Sequence, residues 1–138
     1  MKRYAKANWK GNGKEGKGLL STQSTVLDNN QYNFSGRFAE GSGTNPEELI
    51  AAAHAGCFTM KLSFLLGDAG FVPENLDTRC DINFDTAKGR IAGSHLILEA
   101  SVPGIDPAKF EALVKEAKDT CPVSLLLNAD ITYEARLV

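Results

Sequence analysis

The chain has 138 residues, 43% of them hydrophobic, which suits one domain with one core over residues 1–138. Its 23% of charged residues sum to a formal net charge of −2, which implies no basic face, so no nucleic-acid partner is expected. Met1 to Trp9 carries charge without an apolar stretch, unlike a secretory leader, and the apolar run from Leu49 to Met60 is short for a bilayer and holds His54, so a cytoplasmic protein without a membrane partner is expected.

Residues 3–11 and 18–27 read as strands joined by the glycine- and lysine-rich loop from Gly11 to Gly18. That loop lacks the Walker pattern and opens no helix, so it reads as a hairpin loop rather than a phosphate cradle. Residues 31–38 alternate polar and apolar and read as a third strand ending near Arg37, and 40–44 form a loop. The strongest helix start follows: Asn45 can cap, Pro46 suits the first helical position, and Glu48 stands where a capping-box carboxylate belongs. The helix runs through Leu66, with Gly67 or Gly70 as its stop. From Leu49 to Met60 it carries no formal charge on any side. A helix apolar all round must be covered all round, so one face needs a second layer or a second subunit.

Residues 75–84 and 90–102 alternate like two long antiparallel strands around a turn at 85–89. Asp106-Pro107 starts a helix with Phe110, Leu113, Val114 and Ala117 at helical spacing. After Thr120 and Cys121, Pro122 opens a short helix through Asn128, and residues 129–137 close the chain as a strand. This order of elements makes an α+β fold.

The three cysteines, Cys57, Cys80 and Cys121, show neither Cys-x-x-Cys nor zinc-finger spacing. Cys57 lies mid-helix in an apolar region, as either an inert core thiol or a nucleophile. The second role needs a nearby cation to hold a thiolate against burial, and Arg37 is a candidate beside its alternative as a surface charge. Cys121 adjoins a helix N-terminus, which favours a thiolate and a good leaving group, although a thiol that merely caps would sit there too. Glu48 suits capping, which leaves Glu47 to pair with Arg37. Ten residues of unbroken helix separate Glu47 from Cys57 by about 15 Å. The two therefore meet only across a dimer or through an intervening arginine. His54 shares a helix face with Cys57 and reads as an interior histidine, with a Cys–His nucleophile pair as the alternative. Cys80 and His95 lie on strands and carry no motif.

The run Gly43-Thr-Asn-Pro-Glu-Glu-Leu-Ile-Ala-Ala-Ala-His-Ala-Gly-Cys-Phe-Thr-Met60, together with Cys121-Pro-Val-Ser124, strongly resembles the family of osmotically inducible protein C and the organic hydroperoxide resistance proteins. The resemblance extends to Leu65-Leu-Gly-Asp-Ala-Gly-Phe71 and Val102-Pro-Gly-Ile-Asp106, and the wording around Thr44 and His54 is closer to the osmotically inducible branch. It implies an α+β fold with antiparallel sheets around a long buried central helix, in an intertwined homodimer with two active sites at the interface. It implies that Cys57 is the peroxidatic and Cys121 the resolving cysteine, with Arg37 and Glu47 activating Cys57. The Arg37 assignment rests on the osmotically inducible branch alone. Glu48 also matches the pattern, whereas Cys80 matches no catalytic position.

The chemistry so implied is reduction of organic hydroperoxides, with hydrogen peroxide a further candidate, through a Cys57 sulfenic acid and a Cys57–Cys121 disulfide. A small dithiol or lipoyl-type reductant would reopen the disulfide, and no metal, flavin or haem is needed. Phe38 and Phe58 are candidates for an apolar wall around Cys57. Two other classes compete: a non-enzymatic protein with inert thiols, and a hydrolase built on Cys57 and His54. Neither uses the Cys121-Pro122 helix start.

Overall fold

The computed structural model describes residues 1–38 and 43–138, with the backbone alone at 37 and 38. They form two compact units, residues 1–49 and 50–138.

The first unit is a three-stranded antiparallel sheet of β1 (Ala5–Lys10), β2 (Lys17–Thr22) and β3 (Asn30–Tyr32). The Gly11–Gly18 segment is the expected hairpin loop. Asn12 shapes it, its Oδ1 accepting the backbone N–H groups of Lys14 and Glu15 at 3.1 and 2.7 Å. Gly18 lies between Trp9 and Tyr32, whose ring centroids are 5.4 Å apart, and a Cβ there would stand 2.3 Å from Tyr32 and 2.7 Å from Trp9. The second strand is shorter than expected because the backbone turns at Thr22, whose N–H donates to Leu27 O at 2.9 Å.

The expected third strand over 31–38 is corrected: β3 stops at Tyr32, and residues 34–38 form a short helix, α1 (Phe34–Phe38). The alternation in this stretch is overridden by Asn33, whose side-chain oxygen accepts the Gly36 N–H at 2.7 Å and so begins a helical turn. Arg37 is therefore helical rather than at a strand end. The loop expected at 40–44 falls largely outside the described residues, and its end, Thr44, bridges to Tyr32.

Helix α2 (Pro46–Asp68) has the expected start, with Asn45 Oδ1 accepting the Glu48 N–H at 2.8 Å. Its end is a Schellman turn at Gly70, not Gly67. Gly70 takes φ +88° and donates to Gly67 O, while Phe71 N–H reaches Leu66 O at 2.9 Å. The 23-residue α2 is longer than the sequence suggested, and by length and composition it is apolar enough to cross a membrane. Yet His54, Phe58, Leu62 and Leu66 are buried within the protein, as in the core helix of a folded domain.

The second unit adds β4 (Asn75–Asp85), β5 (Arg90–Ser101), α3 (Pro107–Thr120), α4 (Pro122–Leu126) and β6 (Asp130–Leu137). Its core joins Phe58, Leu62 and Leu66 of α2 to Leu96, Leu98 and Ala100 of β5 and to Phe110, Leu113, Val114 and Ala117 of α3. Helix α3 starts as expected, with Asp106 accepting the Lys109 N–H. The α+β class holds, with one correction in topology: β4 and β5 are antiparallel, but β6 runs parallel to β5. Residues 102–129, with α3 and α4, form the crossover that a parallel neighbour requires.

The single chain covers only one face of α2, as the sequence suggested, and leaves the other for a second layer or subunit. One face of α2 is buried, while Met60 and Phe64 are 62% and 68% exposed.

Candidate active site

Two cysteines from distant parts of the sequence meet in the second unit. Cys57 Sγ lies 2.9 Å from Cys121 Sγ, a hydrogen-bonded thiol pair. Cys57 is half-buried and Cys121 fully buried, so Cys57 is the more accessible residue of the pair. The chain presents Cys121 at the junction of two helices. Its N–H closes α3 on Ala117 O at 2.9 Å, and its carbonyl accepts from Leu125 in α4. Pro122 then fixes the first residue of α4.

The α4 N-terminus serves a different sulfur from the one its sequence position suggests. The Cys121 side chain makes no capping bond. The backbone N–H of Val123 instead acts on Cys57, in the direction that favours negative charge there. Burial pushes the Cys57 thiol up, and the contact with Cys121 pushes the same way; the Val123 N–H and the Lys61 charge act in the opposite direction. The net effect is upward, so the described surroundings alone do not make Cys57 a ready thiolate.

His54, one helical turn before Cys57, is the interior histidine that the sequence suggested. Its Nδ1 lies 2.6 Å from Ser94 Oγ and its Nε2 2.8 Å from Ser124 Oγ, all buried. Burial lowers its pKa, so the ring is neutral, donating from one nitrogen and accepting at the other. Both nitrogens are occupied by serines, which removes the Cys–His nucleophile pair from consideration. Cys80 contacts the same cluster, 3.2 Å from Ser94 Oγ, and burial raises its thiol pKa. His95 lies on the strand surface, bonded to Thr132 at 2.7 Å.

Of the other candidates, Glu48 is capped by Asn45 through its backbone N–H, while its carboxylate, expected in a capping box, accepts the Thr44 hydroxyl at 2.5 Å. Glu47 is the second residue of α2 and lies in the first unit. Arg37 and Phe38 are in α1, and their side chains lie outside the described residues. Phe58 is fully buried in the core. Among the described residues, no three His, Cys, Asp or Glu side chains gather to hold a metal.

Sequence reading did not single out Ser94, Lys61 or Val123, and it quoted Ser124 only within a motif. The serines stand 40 and 70 residues from His54, so no local pattern announces them. Lys61 was findable, one turn after Cys57 on α2.

Comparison with known proteins identifies the family. The family described as OsmC-like protein matches residues 39–136. The chain is 47% identical over 133 residues to peroxiredoxin OsmC of Escherichia coli (strain K12), covering 95% of this chain and 93% of that one. It is 34% identical over 101 residues to an organic hydroperoxide resistance protein of Xanthomonas axonopodis pv. citri, covering 68% of each. Its fold superposes on the organic hydroperoxide resistance protein OhrB of Bacillus subtilis with a TM-score of 0.70 at 24% identity, covering 96% of this chain and 98% of that one. With the family matched over most of the chain and a relative near half identical along nearly its whole length, this protein belongs to the OsmC-like family.

Proposed function

We propose that this chain is a thiol-dependent peroxidase that reduces organic hydroperoxides, with Cys57 as the peroxidatic and Cys121 as the resolving cysteine. The observation that carries this reading is the 2.9 Å approach of a half-buried and a fully buried thiol from opposite ends of the second unit. The names of the relatives, a peroxiredoxin and organic hydroperoxide resistance proteins, support the same chemistry.

In the first step the Cys57 thiolate attacks the outer oxygen of ROOH. The O–O bond breaks, the alkoxide leaves and takes a proton as ROH, and Cys57 becomes a sulfenic acid. In the second, the Cys121 sulfur attacks the Cys57 sulfur. The S–O bond breaks, hydroxide leaves as water with the Cys121 proton, and a disulfide forms. A small dithiol then reduces the disulfide by two exchanges, itself ending as a disulfide. A lipoyl-type dithiol is our candidate, and the reducing cytoplasm is the compartment in which the cycle would run.

Arg37 and Glu47 complete the reading. Burial raises the Cys57 pKa, so the thiolate needs a cation beyond Lys61. We assign that role to the Arg37 guanidinium, held by Glu47, with Phe38 contributing to an apolar wall that favours organic peroxides; Phe58, expected in that wall, is packed into the core instead. The active unit is then a homodimer, supported by the exposed Met60 and Phe64 on α2 and the exposed Leu125 and Leu126 on α4.

Intact-mass analysis after one equivalent of cumene hydroperoxide tests the scheme. The wild type is expected to lose two hydrogens, and Cys121→Ser to gain one oxygen. An unchanged wild-type mass overturns it.

A further inference from the structure

Helices α2 and α4 meet at two matched points. On α2, His54 and Cys57 stand three residues apart, and on α4 and its cap, Cys121 and Ser124 have the same spacing. They pair in opposite order: Cys57 with Cys121 at 2.9 Å, and His54 with Ser124 at 2.8 Å. The first contact joins the two sulfurs that react in the cycle proposed above, whereas the second involves no reacting atom. We infer that His54 is a positioning residue for disulfide formation, tethering α4 to α2 through Ser124 so that Cys121 is held against Cys57.

The need for a tether follows from what α4 lacks. It is five residues long, too short to be stable alone, and Leu125 and Leu126 are 72% and 78% exposed. Its one buried residue is Ser124. A buried hydroxyl without a partner is costly, so α4 seated with Ser124 buried away from His54 would leave that hydroxyl and the imidazole nitrogen unpaired. His54 is itself anchored from the opposite side by Ser94 of β5, at 2.6 Å. The imidazole thus connects the sheet to α4 through two hydroxyls, and burial keeps it in the neutral form that can donate and accept at once.

This inference rests on the peroxidase reading, but its consequence is narrower. The resolving step demands that the Cys121 sulfur reach the Cys57 sulfur, while the first step makes no use of the Cys121 sulfur. Loss of the tether should therefore slow the second step more than the first.

The experiment follows both steps in rapid-quench samples by intact mass, with dimedone to trap the sulfenic acid. For His54→Ala and Ser124→Ala, the ratio of disulfide-forming to sulfenic-forming rate is expected to fall about tenfold or more, since small misplacements of reacting groups are costly. His54→Gln, whose amide can both donate and accept, should recover much of that ratio. Oxidation by diamide, which removes one hydrogen from each thiol without a peroxide, should show the same ranking. A ratio within about twofold of wild type in Ser124→Ala overturns the inference, as does an equal slowing of both steps. If wild type ignores hydroperoxide, the peroxidase reading fails, and the diamide ranking still decides the tether. Ser124→Ala keeps the test valid if His54→Ala does not fold.

Discussion

The backbone N–H of Val123 favours negative charge on the sulfur of Cys57, so the short helix that follows one cysteine acts on the other. The two thiols are thereby coupled through α4 as well as through their 2.9 Å contact. The Val123 N–H is a fixed dipole, whereas Lys61, one turn along α2, is a removable charge. Lys61→Met takes away one of the two influences that pull the Cys57 pKa down, so it should move that pKa further up. The thiolate is the reactive form, and less of it is present at a given pH when the pKa rises. The pH profile of iodoacetamide alkylation of Cys57, read by mass, is therefore expected to shift to higher pH. A profile that stays in place would show that Lys61 does not reach the sulfur.

Arg37 is expected to matter more. Arg37→Ala should lower the hydroperoxide reduction rate at neutral pH by about tenfold or more, the cost of each pKa unit gained by the nucleophile. Raising the pH should restore much of the loss, because the variant can still form a thiolate in alkaline solution. Stopped-flow rates from pH 6 to 10 check this. A uniform loss across the range would instead assign Arg37 to substrate binding.

The exposed side of α2 gives a test of assembly. Phe64 is 68% exposed and Met60, one turn before it, 62% exposed. If this face is covered by a second copy, Phe64→Asp places a charge in an apolar contact and should shift the protein to a monomer at micromolar concentration. Sedimentation velocity of wild type and variant reads this directly, and a wild-type monomer at that concentration contradicts the homodimer.

What was legible in the sequence was mostly local. The start of α2 could be read because Asn45 caps the Glu48 N–H across Pro46 at the first helical position, and α3 because Asp106-Pro107 does the same. The cysteine pair was legible through its motifs, although its distance was not. The third strand failed because Asn33 competes for a backbone N–H, which alternation does not record. The parallel pairing of β6 was missed because strand partners are chosen in space, yet the crossover of α3 and α4 before it was a usable clue. The serines around His54 were illegible for a similar reason: a buried imidazole announces a need for partners without saying where in the chain they lie.

Burial in the second unit sets the scale for a core prediction. Phe58 is 0% exposed and belongs to the cluster of α2, β5 and α3. Phe58→Ala should destabilise the protein by about 3–5 kcal/mol through lost burial and the cavity left behind. Urea unfolding followed by circular dichroism measures the loss. A value under about 1 kcal/mol, the size of a surface change, would mean that the ring does not fill the core.

Gly18 offers the corresponding test in the first unit. A methyl group there would stand 2.3 Å from Cε1 of Tyr32 and 2.7 Å from Cε3 of Trp9, well inside van der Waals contact. Both atoms belong to rigid rings, and each ring is carried by a strand hydrogen-bonded to β2, with Trp9 opposite Gly18 and Tyr32 opposite it on the other side. Neither ring can withdraw without disturbing the strand that bears it. Gly18→Ala is therefore expected to cost about 1–3 kcal/mol, the usual range for overpacking. It should also change the emission of Trp9, the one tryptophan in the chain. Phe58→Ala, acting in the other unit, should lower stability with the folded-state Trp9 spectrum unchanged. Identical folded-state emission in Gly18→Ala and wild type would show that the Trp9–Tyr32 packing over Gly18 does not hold in solution.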